Sequence, residues 1–193
     1  MESSARTPDD ALDRAFAETP RAWFLPRWQV AHADVDQPLD IGHQQTCSQP
    51  STVRAVLALL DVRPGQRVLD VGSGSGWTTA LLARLVGPDG EVVGVELVEA
   101  LTARGHDNLA RCGTPWARIE QADSGHLGRR DGAPYDRVLV SAQARELPDE
   151  LVDQLAVGGV MVVPVAGELL RVVRGTGGAS VTRHGSYRFV PLR

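Results

Sequence analysis

Two hydroxyl side chains, Thr46 and Ser48, stand in the polar stretch 45–50, directly before a segment with helical periodicity. Hydroxyls at such a place can cap the free N–H groups of the helix, or they can hydrogen-bond a bound molecule. His43 and Cys47 flank Ser48, but adjacency in a loop does not establish a nucleophile and its base, and no orienting acid is evident. These residue types therefore indicate hydroxyls that position other groups, and both helix capping and ligand binding remain open.

A glycine-rich loop, 72–76, follows the buried strand-like segment 67–71. Glycines there permit a tight turn with positive φ and let a ligand approach the backbone. Glu96 ends the next predicted strand, 24 residues after Gly72, where a carboxylate can accept hydrogen bonds from both hydroxyls of a ribose. This combination favours an adenosine-type ligand over a turn that serves packing alone.

The loop departs from the dinucleotide fingerprint G-x-G-x-x-G/A, whose third small residue lets the helix pack close to the strand. Trp77 stands where that residue would be, and Asp70 precedes the loop. All 20 basic residues are arginine, which excludes a phosphate-loop lysine and a Schiff-base mechanism. The spacing D-x-G-x-G-x-G from Asp70 to Gly76 instead resembles the first motif of S-adenosylmethionine-dependent methyltransferases, and this resemblance implies that cofactor rather than NAD or a nucleoside triphosphate.

Strands and helices alternate along the chain and must position these groups. Strands are predicted at 67–71, 91–96, 117–121, 136–141 and 160–165, and helices at 10–16, 51–60, 77–86, 146–155 and in the segment ending at 112–113. A hairpin-like tail follows. The alternation predicts a doubly wound, mostly parallel α/β sheet of the Rossmann-like kind, with helices on both faces and antiparallel C-terminal strands. We expect one domain, 1–193, with an N-terminal flap and active-site loop at 1–50 and a core at 51–193.

Composition narrows the classes of function. The chain has 193 residues, 42% of them hydrophobic and 23% charged, as in ordinary globular proteins. It has neither a run long enough to span a membrane nor the pattern of a signal peptide, so a cytoplasmic location is expected. A net charge of −4 argues against binding a nucleic-acid backbone. The two cysteines and the histidines match no metal-ligand spacing, so no metal is expected.

Several segments resemble protein-L-isoaspartate O-methyltransferases, a family of S-adenosylmethionine-dependent methyltransferases. The segment 38–50 resembles the family's P-L-x-I-G…Q-T-I-S-x-P, and 68–77 (VLDVGSGSGW) resembles V-L-E-I-G-T-G-S-G-Y. Further matches are Thr19-Pro20-Arg21 with Phe24-Leu25-Pro26, then 133–136 (APYD), Leu147-Pro148, Gln154-Leu155, Gly158-Gly159, Pro164-Val165 and the final 189–192 (FVPL). The resemblance covers almost the whole chain.

The resemblance implies methyl transfer from S-adenosylmethionine to a carboxylate of L-isoaspartyl residues in damaged proteins or peptides. It implies that Ser48 and Thr46 act at the reacting centre. The cofactor-binding residues that it implies are Asp70, Gly72, Ser73, Gly74, Gly76, Glu96, Leu97, Asp123 and Ser124. Asp123 can also be read as a residue that starts a turn. A carboxylate is already ionised near neutral pH, so the absence of an obvious general base is expected.

Three departures from the family pattern surround the proposed active serine. Cys47 replaces a usual isoleucine, Asp40 a usual proline and Gln44 a usual glycine; the loop after Asp123 is also shifted by about one residue. These changes leave open the same chemistry on an aspartate of one dedicated peptide. A nucleotide-dependent oxidoreductase and a non-catalytic cofactor-binding module are the rivals from other classes. The oligomeric state is open, with a monomer favoured.

Overall fold

The computed structural model describes residues 8–193, which form a seven-stranded sheet, a separate two-stranded hairpin and five α-helices. In chain order the elements are α1 (Pro8–Glu18), β1 (Leu39–Gly42), β2 (Gln45–Cys47), α2 (Pro50–Leu60), β3 (Arg67–Val71), α3 (Trp77–Val86), β4 (Glu91–Glu96), α4 (Glu99–Ala110), β5 (Ala117–Gln121), β6 (Tyr135–Val140), α5 (Asp149–Val152), β7 (Leu155–Val165), β8 (Glu168–Gly175) and β9 (Gly178–Ser186), with 3-10 helices at Arg21–Phe24, Arg27–His32 and Arg130–Gly132. None of the helices in this described range is long and apolar enough to cross a membrane.

The large sheet has the strand order β5-β4-β3-β6-β7-β8-β9. The strands from β5 to β7 are parallel, β8 runs antiparallel to β7, and β9 runs antiparallel to β8. Because β3 lies between β4 and β6, the strand order reverses at its carboxyl end, where open α/β sheets bind their ligands. The predicted fold class, a mostly parallel sheet with antiparallel C-terminal strands, is confirmed.

Alternating side chains of the sheet enter two hydrophobic clusters. Val68 of β3 packs with α1 to α4 on one face, whereas Leu69 and Val71 pack on the opposite face. The predicted apolar face of α2 is buried, namely Val53, Val56, Leu57 and Leu60. Among residues 8–193, the second face is covered by the short α5 and by loop residues, so fewer helices cover this face than a doubly wound pattern predicts.

The predicted helix at 146–155 is wrong in most of its length. Only Asp149–Val152 is helical, and β7 begins at Leu155, five residues before the predicted strand at 160–165. Gly158 has a φ of +82°, and a Cβ on Gly159 would lie 3.0 Å from the Tyr135 carbonyl oxygen. The two glycines therefore shape a bulged strand that approaches β6 closely, whereas the sequence pattern indicated the end of a helix.

Candidate active site

One cavity lies at the carboxyl ends of β3, β4 and β6, beneath the β1–β2 hairpin. Eight of the eleven predicted site residues line it: Thr46, Ser48, Gly72, Ser73, Gly74, Glu96, Leu97 and Asp123. The tertiary structure thus brings together two groups of residues, before α2 and after β3 to β5, that the sequence separates. Asp70, Gly76 and Ser124 are outside the lining.

Asp70 lies behind the glycine loop and is fully buried. Its Oδ2 accepts hydrogen bonds from the hydroxyls of Thr78 and Thr79, both at 2.7 Å, and its Oδ1 accepts one from Ser141 Oγ at 3.3 Å. Burial raises the pKa of Asp70 to about 6, although the three hydroxyls act in the opposite direction. Asp70 therefore ties the first turn of α3 and the end of β6 to the strand that carries the loop.

Gly76 also supports the loop from outside the cavity. It precedes α3 with a φ of +92°, and a Cβ there would meet Ile119 Cδ1 at 2.9 Å and the Gly105 carbonyl oxygen at 3.3 Å. A side chain at this position would separate α3 from α4 and strain the backbone. Gly76 thus permits close packing behind the loop.

Glu96 faces the loop from the end of β4 and is 7% exposed. Its Oε2 accepts the N–H of Gly74 at 2.9 Å, and its Oε1 accepts the N–H of Val98 at 2.9 Å. Each carboxylate oxygen can accept a further hydrogen bond, which suits the two hydroxyls of a ribose. Ser73 also lines the cavity, and its Oγ is buried without a hydrogen-bond partner among residues 8–193. This donor and acceptor set fits an adenosine-type cofactor.

Asp123 both lines the cavity and starts a turn, the two positions that the sequence left as alternatives. It lines the cavity, and its Oδ1 accepts the Gly125 N–H at 2.8 Å while its Oδ2 lies 2.9 Å from His126 Nδ1. Hydrogen bonds from Gly125 and then His126 lower the pKa of Asp123, so it remains an acceptor at neutral pH. Ser124 is exposed.

Ser48 lies directly after β2 and is half-buried. Its hydroxyl makes no capping bond to α2 in the part of the chain that the structure describes; the N-cap position belongs to Gln49. Asp36 supplies the cap instead, because its Oδ1 accepts the Ser51 N–H at 2.9 Å and its Oδ2 accepts Gln49 Nε2 at 3.0 Å. These bonds lower the pKa of Asp36. The Ser48 hydroxyl therefore does not cap the helix and is available to hydrogen-bond a molecule in the cavity.

Cys47 belongs to the core. It is 5% exposed, and burial raises the pKa of its thiol, which disfavours a thiolate nucleophile. His43 is an exposed turn residue with a φ of +57°. Within residues 8–193, no group of three or more His, Cys, Asp or Glu residues is arranged to hold a metal ion.

The C-terminal tail is a cavity wall to which the sequence pattern assigned no role. Val190 to Arg193 line the cavity. The Gln143 N–H donates to the Val190 carbonyl at 2.7 Å, and the Leu192 N–H donates to the Gln143 carbonyl at 2.8 Å. The FVPL motif contributed to the family resemblance, but only the fold shows that it crosses the site.

The sheet order, the loop at its switch point and the acid after the second parallel strand together define an S-adenosylmethionine-dependent methyltransferase of the Rossmann-like class. The family model for protein-L-isoaspartate(D-aspartate) O-methyltransferase matches residues 3–193. The chain belongs to this family. The predicted family and enzyme class are thereby confirmed, together with the cofactor.

Two curated relatives match this chain over most of the length of both proteins. The chain is 38% identical over 189 residues to a protein-L-isoaspartate O-methyltransferase of Pyrococcus horikoshii, covering 95% of this chain and 84% of the relative. It is 39% identical over 194 residues to that of Methanothrix thermoacetophila, covering 100% and 92%. A crystal structure from Plasmodium falciparum, assigned to the same enzyme and in complex with S-adenosyl-L-homocysteine, superposes with a TM-score of 0.86 at 26% identity over 97% of this chain and 92% of that one.

Proposed function

We propose that the protein methylates the free carboxylate of L-isoaspartyl residues in damaged proteins or peptides, with S-adenosylmethionine as the methyl donor. One observation carries this assignment beyond family membership: a single cavity holds the hydroxyls of the β1–β2 hairpin beside the glycine loop and Glu96. The nucleoside-binding residues and the groups that can position a carboxylate therefore face the same space.

The protein's task in this reaction is orientation. The bound cofactor supplies an electrophilic methyl group. The substrate carboxylate is ionised at neutral pH and needs no base. Ser48 would donate a hydrogen bond from its hydroxyl to that carboxylate and Thr46 would line the approach, so that the carboxylate is held in position for attack on the methyl group. Such positioning supplies several kcal/mol of the barrier.

Of the other predicted site residues, some would contact the cofactor and two support the loop from behind. Glu96 would accept hydrogen bonds from both ribose hydroxyls, Ser73 would contact the cofactor from the loop, and Gly72 and Gly74 would let it approach the backbone. Leu97 and Asp123 would hold the adenine, and Ser124 follows Asp123 outside the cavity lining. Asp70 and Gly76 act from behind, through the hydrogen bonds and packing described above.

The remaining expectations belong to the same proposal. Residues 8–193 form one domain in which 8–50 make the flap and active-site loop; the predicted bounds begin at residue 1, and residues 1–7 lie outside the part of the chain that the structure describes. The protein works in the cytoplasm as a monomer, on isoaspartyl proteins or peptides, and does not bind nucleic acid.

Methyl-ester formation tests the assignment. A synthetic isoaspartyl peptide and its aspartyl twin are incubated with labelled S-adenosylmethionine and wild type, Ser48→Ala or Ser51→Ala. We expect methylation of the isoaspartyl peptide alone, reduced about 10- to 100-fold in Ser48→Ala because one positioning group is lost. Ser51→Ala removes a hydroxyl of the same type three residues away and outside the cavity lining, so it should retain activity.

A second candidate is the same chemistry on an aspartate of one dedicated peptide. The unusual hairpin residues favour it, because Asp40 pairs with Thr46, Gln44 lies in the turn and Cys47 directly precedes Ser48. Cofactor binding with neither synthetic peptide methylated would overturn the repair assignment and leave this candidate. Equal activity of Ser48→Ala and wild type would remove Ser48 from its proposed role.

A further inference from the structure

Arg21, at the start of the first 3-10 helix, is a buried cation that four backbone carbonyls surround. Its side chain belongs to a residue only 6% exposed. Nη1 donates to the carbonyls of Ala33 and Val35 at 3.3 and 3.0 Å, and Nη2 donates to those of Gln37 and Cys47 at 2.7 and 2.8 Å. These acceptors belong to the flap and to the last residue of β2, so one side chain joins two separate segments.

The guanidinium has no carboxylate within 4.0 Å among the described residues. Burying an unpaired charge is strongly unfavourable unless hydrogen bonds replace its hydration. Here four carbonyl dipoles solvate the two terminal nitrogens, while the Nε–H has no hydrogen-bond partner among the described residues; four acceptors around Nη1 and Nη2 match the planar fork of arginine rather than the point charge of lysine. The arrangement fixes the direction of each of these carbonyls.

Two contacts relate this cation to the cavity. The Cys47 carbonyl belongs to the peptide bond whose nitrogen is that of Ser48, so holding that oxygen sets the plane from which Ser48 emerges. On its other side, the guanidinium carbon lies 5.4 Å from the ring centroid of Trp77. Trp77 directly follows the glycine loop and lines the cavity. Arg21 therefore contacts both the segment that carries Ser48 and the residue that ends the cofactor loop.

We propose that Arg21 is a positioning residue for methyl transfer, which sets the Ser48 hydroxyl relative to the glycine loop without touching substrate or cofactor. This inference rests on the proposed function. It predicts that loss of the guanidinium fork impairs turnover more than cofactor binding, because the loop keeps its own hydrogen bonds to Glu96, to the Val95 carbonyl and to Asn108 of α4.

The test compares Arg21→Lys and Arg21→Ala with Arg84→Lys. Arg84 donates Nη2 to the Cys112 carbonyl at 2.8 Å and is outside the cavity lining, so its replacement also removes an arginine–carbonyl bond. Measurements are kcat and KM with an isoaspartyl peptide, the Kd for S-adenosyl-L-homocysteine by calorimetry, the melting temperature, and amide hydrogen exchange of residues 45–49. Added guanidinium ion is tested as a rescue of Arg21→Ala.

For folded Arg21→Lys we expect kcat about 10- to 100-fold lower, a Kd for S-adenosyl-L-homocysteine within about twofold, and faster exchange at 45–49. Guanidinium should restore part of the activity of Arg21→Ala, and Arg84→Lys should keep its kcat. Wild-type kcat in folded Arg21→Lys, or activity losses that merely follow the fraction unfolded without rescue, would overturn the proposal. A wild type that is inactive on the isoaspartyl peptide overturns the proposed function, and with it the positioning role of Arg21 in methyl transfer. Hydrogen exchange at residues 45–49 would still show whether Arg21 holds the segment that carries Ser48.

Discussion

At the scale of single residues, the buried carboxylate of Asp70 behind the cofactor loop has a raised pKa. Its carboxylate is enclosed with three hydroxyl donors and has no basic partner among the described residues. Desolvation outweighs these hydrogen bonds, which is why the pKa of Asp70 rises to about 6 from its ordinary value of 3.8. Between these two values the folded protein binds a proton at Asp70 that the unfolded chain releases.

A pH dependence of stability follows for this residue. Because the folded state binds the extra proton, the contribution of Asp70 to the free energy of unfolding falls as the pH rises from about 4 to about 6, by on the order of 3 kcal/mol. Denaturant unfolding of wild type and Asp70→Asn across this range isolates the effect, since Asn does not titrate. Wild type should lose stability relative to the variant as the pH rises; a difference that does not change with pH would contradict the shift.

At the scale of elements, the β1–β2 hairpin sorts its side chains by face. Leu39 pairs with Cys47, and both are buried; Asp40 pairs with Thr46, and both are exposed. Directly opposed residues share a face of an antiparallel pair. The carboxylate of Asp40 therefore lies on the same side as Thr46, which lines the cavity.

This register predicts a charge preference for the substrate. An exposed negative charge at the rim should repel acidic residues next to the isoaspartyl group, so Asp40→Asn should lower KM for a Glu-flanked peptide about two- to fivefold relative to a Lys-flanked one. The control is Asp89→Asn, an exposed acid in the turn at the other end of β4. The effect should weaken with added salt. Equal KM ratios in Asp40→Asn and wild type would exclude a role for this charge.

At the scale of the whole molecule, the cavity is assembled from parts that are far apart in the chain. The hairpin before α2, the loop ends of the sheet and the tail after β9 all line it. A ligand that binds this assembly binds only the folded state, and therefore stabilises the entire fold.

Thermal unfolding can separate the cofactor classes. S-adenosyl-L-homocysteine at about 100 times its Kd should add about 2.7 kcal/mol of stability and raise the melting temperature by several degrees. NAD should produce no shift, because Trp77 occupies the position of the third small residue of the dinucleotide motif. Glu96→Ala should reduce the shift, since it removes the acceptor for the ribose. A larger shift with NAD would contradict the cofactor assignment.

Much of the fold could be predicted from the sequence, because apolar periodicity and glycine positions report on the secondary structure of the same short segment. The strand Arg67–Val71, the helix Trp77–Val86 and the strand Glu91–Glu96 have the predicted bounds, since apolar periodicity and glycine punctuation agree there. The segment 146–155 failed for the opposite reason. The two glycines that follow it, Gly158 and Gly159, permit both the end of a helix and a bulged strand, and the approach of β7 to β6 decides between them.

The sequence by itself determined the parallel sheet, the glycine loop with its acid at Glu96, and the family. Only the tertiary structure decided that Asp36 rather than Ser48 caps α2, that Asp70 lies behind the loop, and that the FVPL tail forms a cavity wall. It also decided that Arg21 holds Cys47 across 26 residues of chain. Contacts of this kind depend on where distant segments meet when the core is packed, and no periodicity within a short window encodes them.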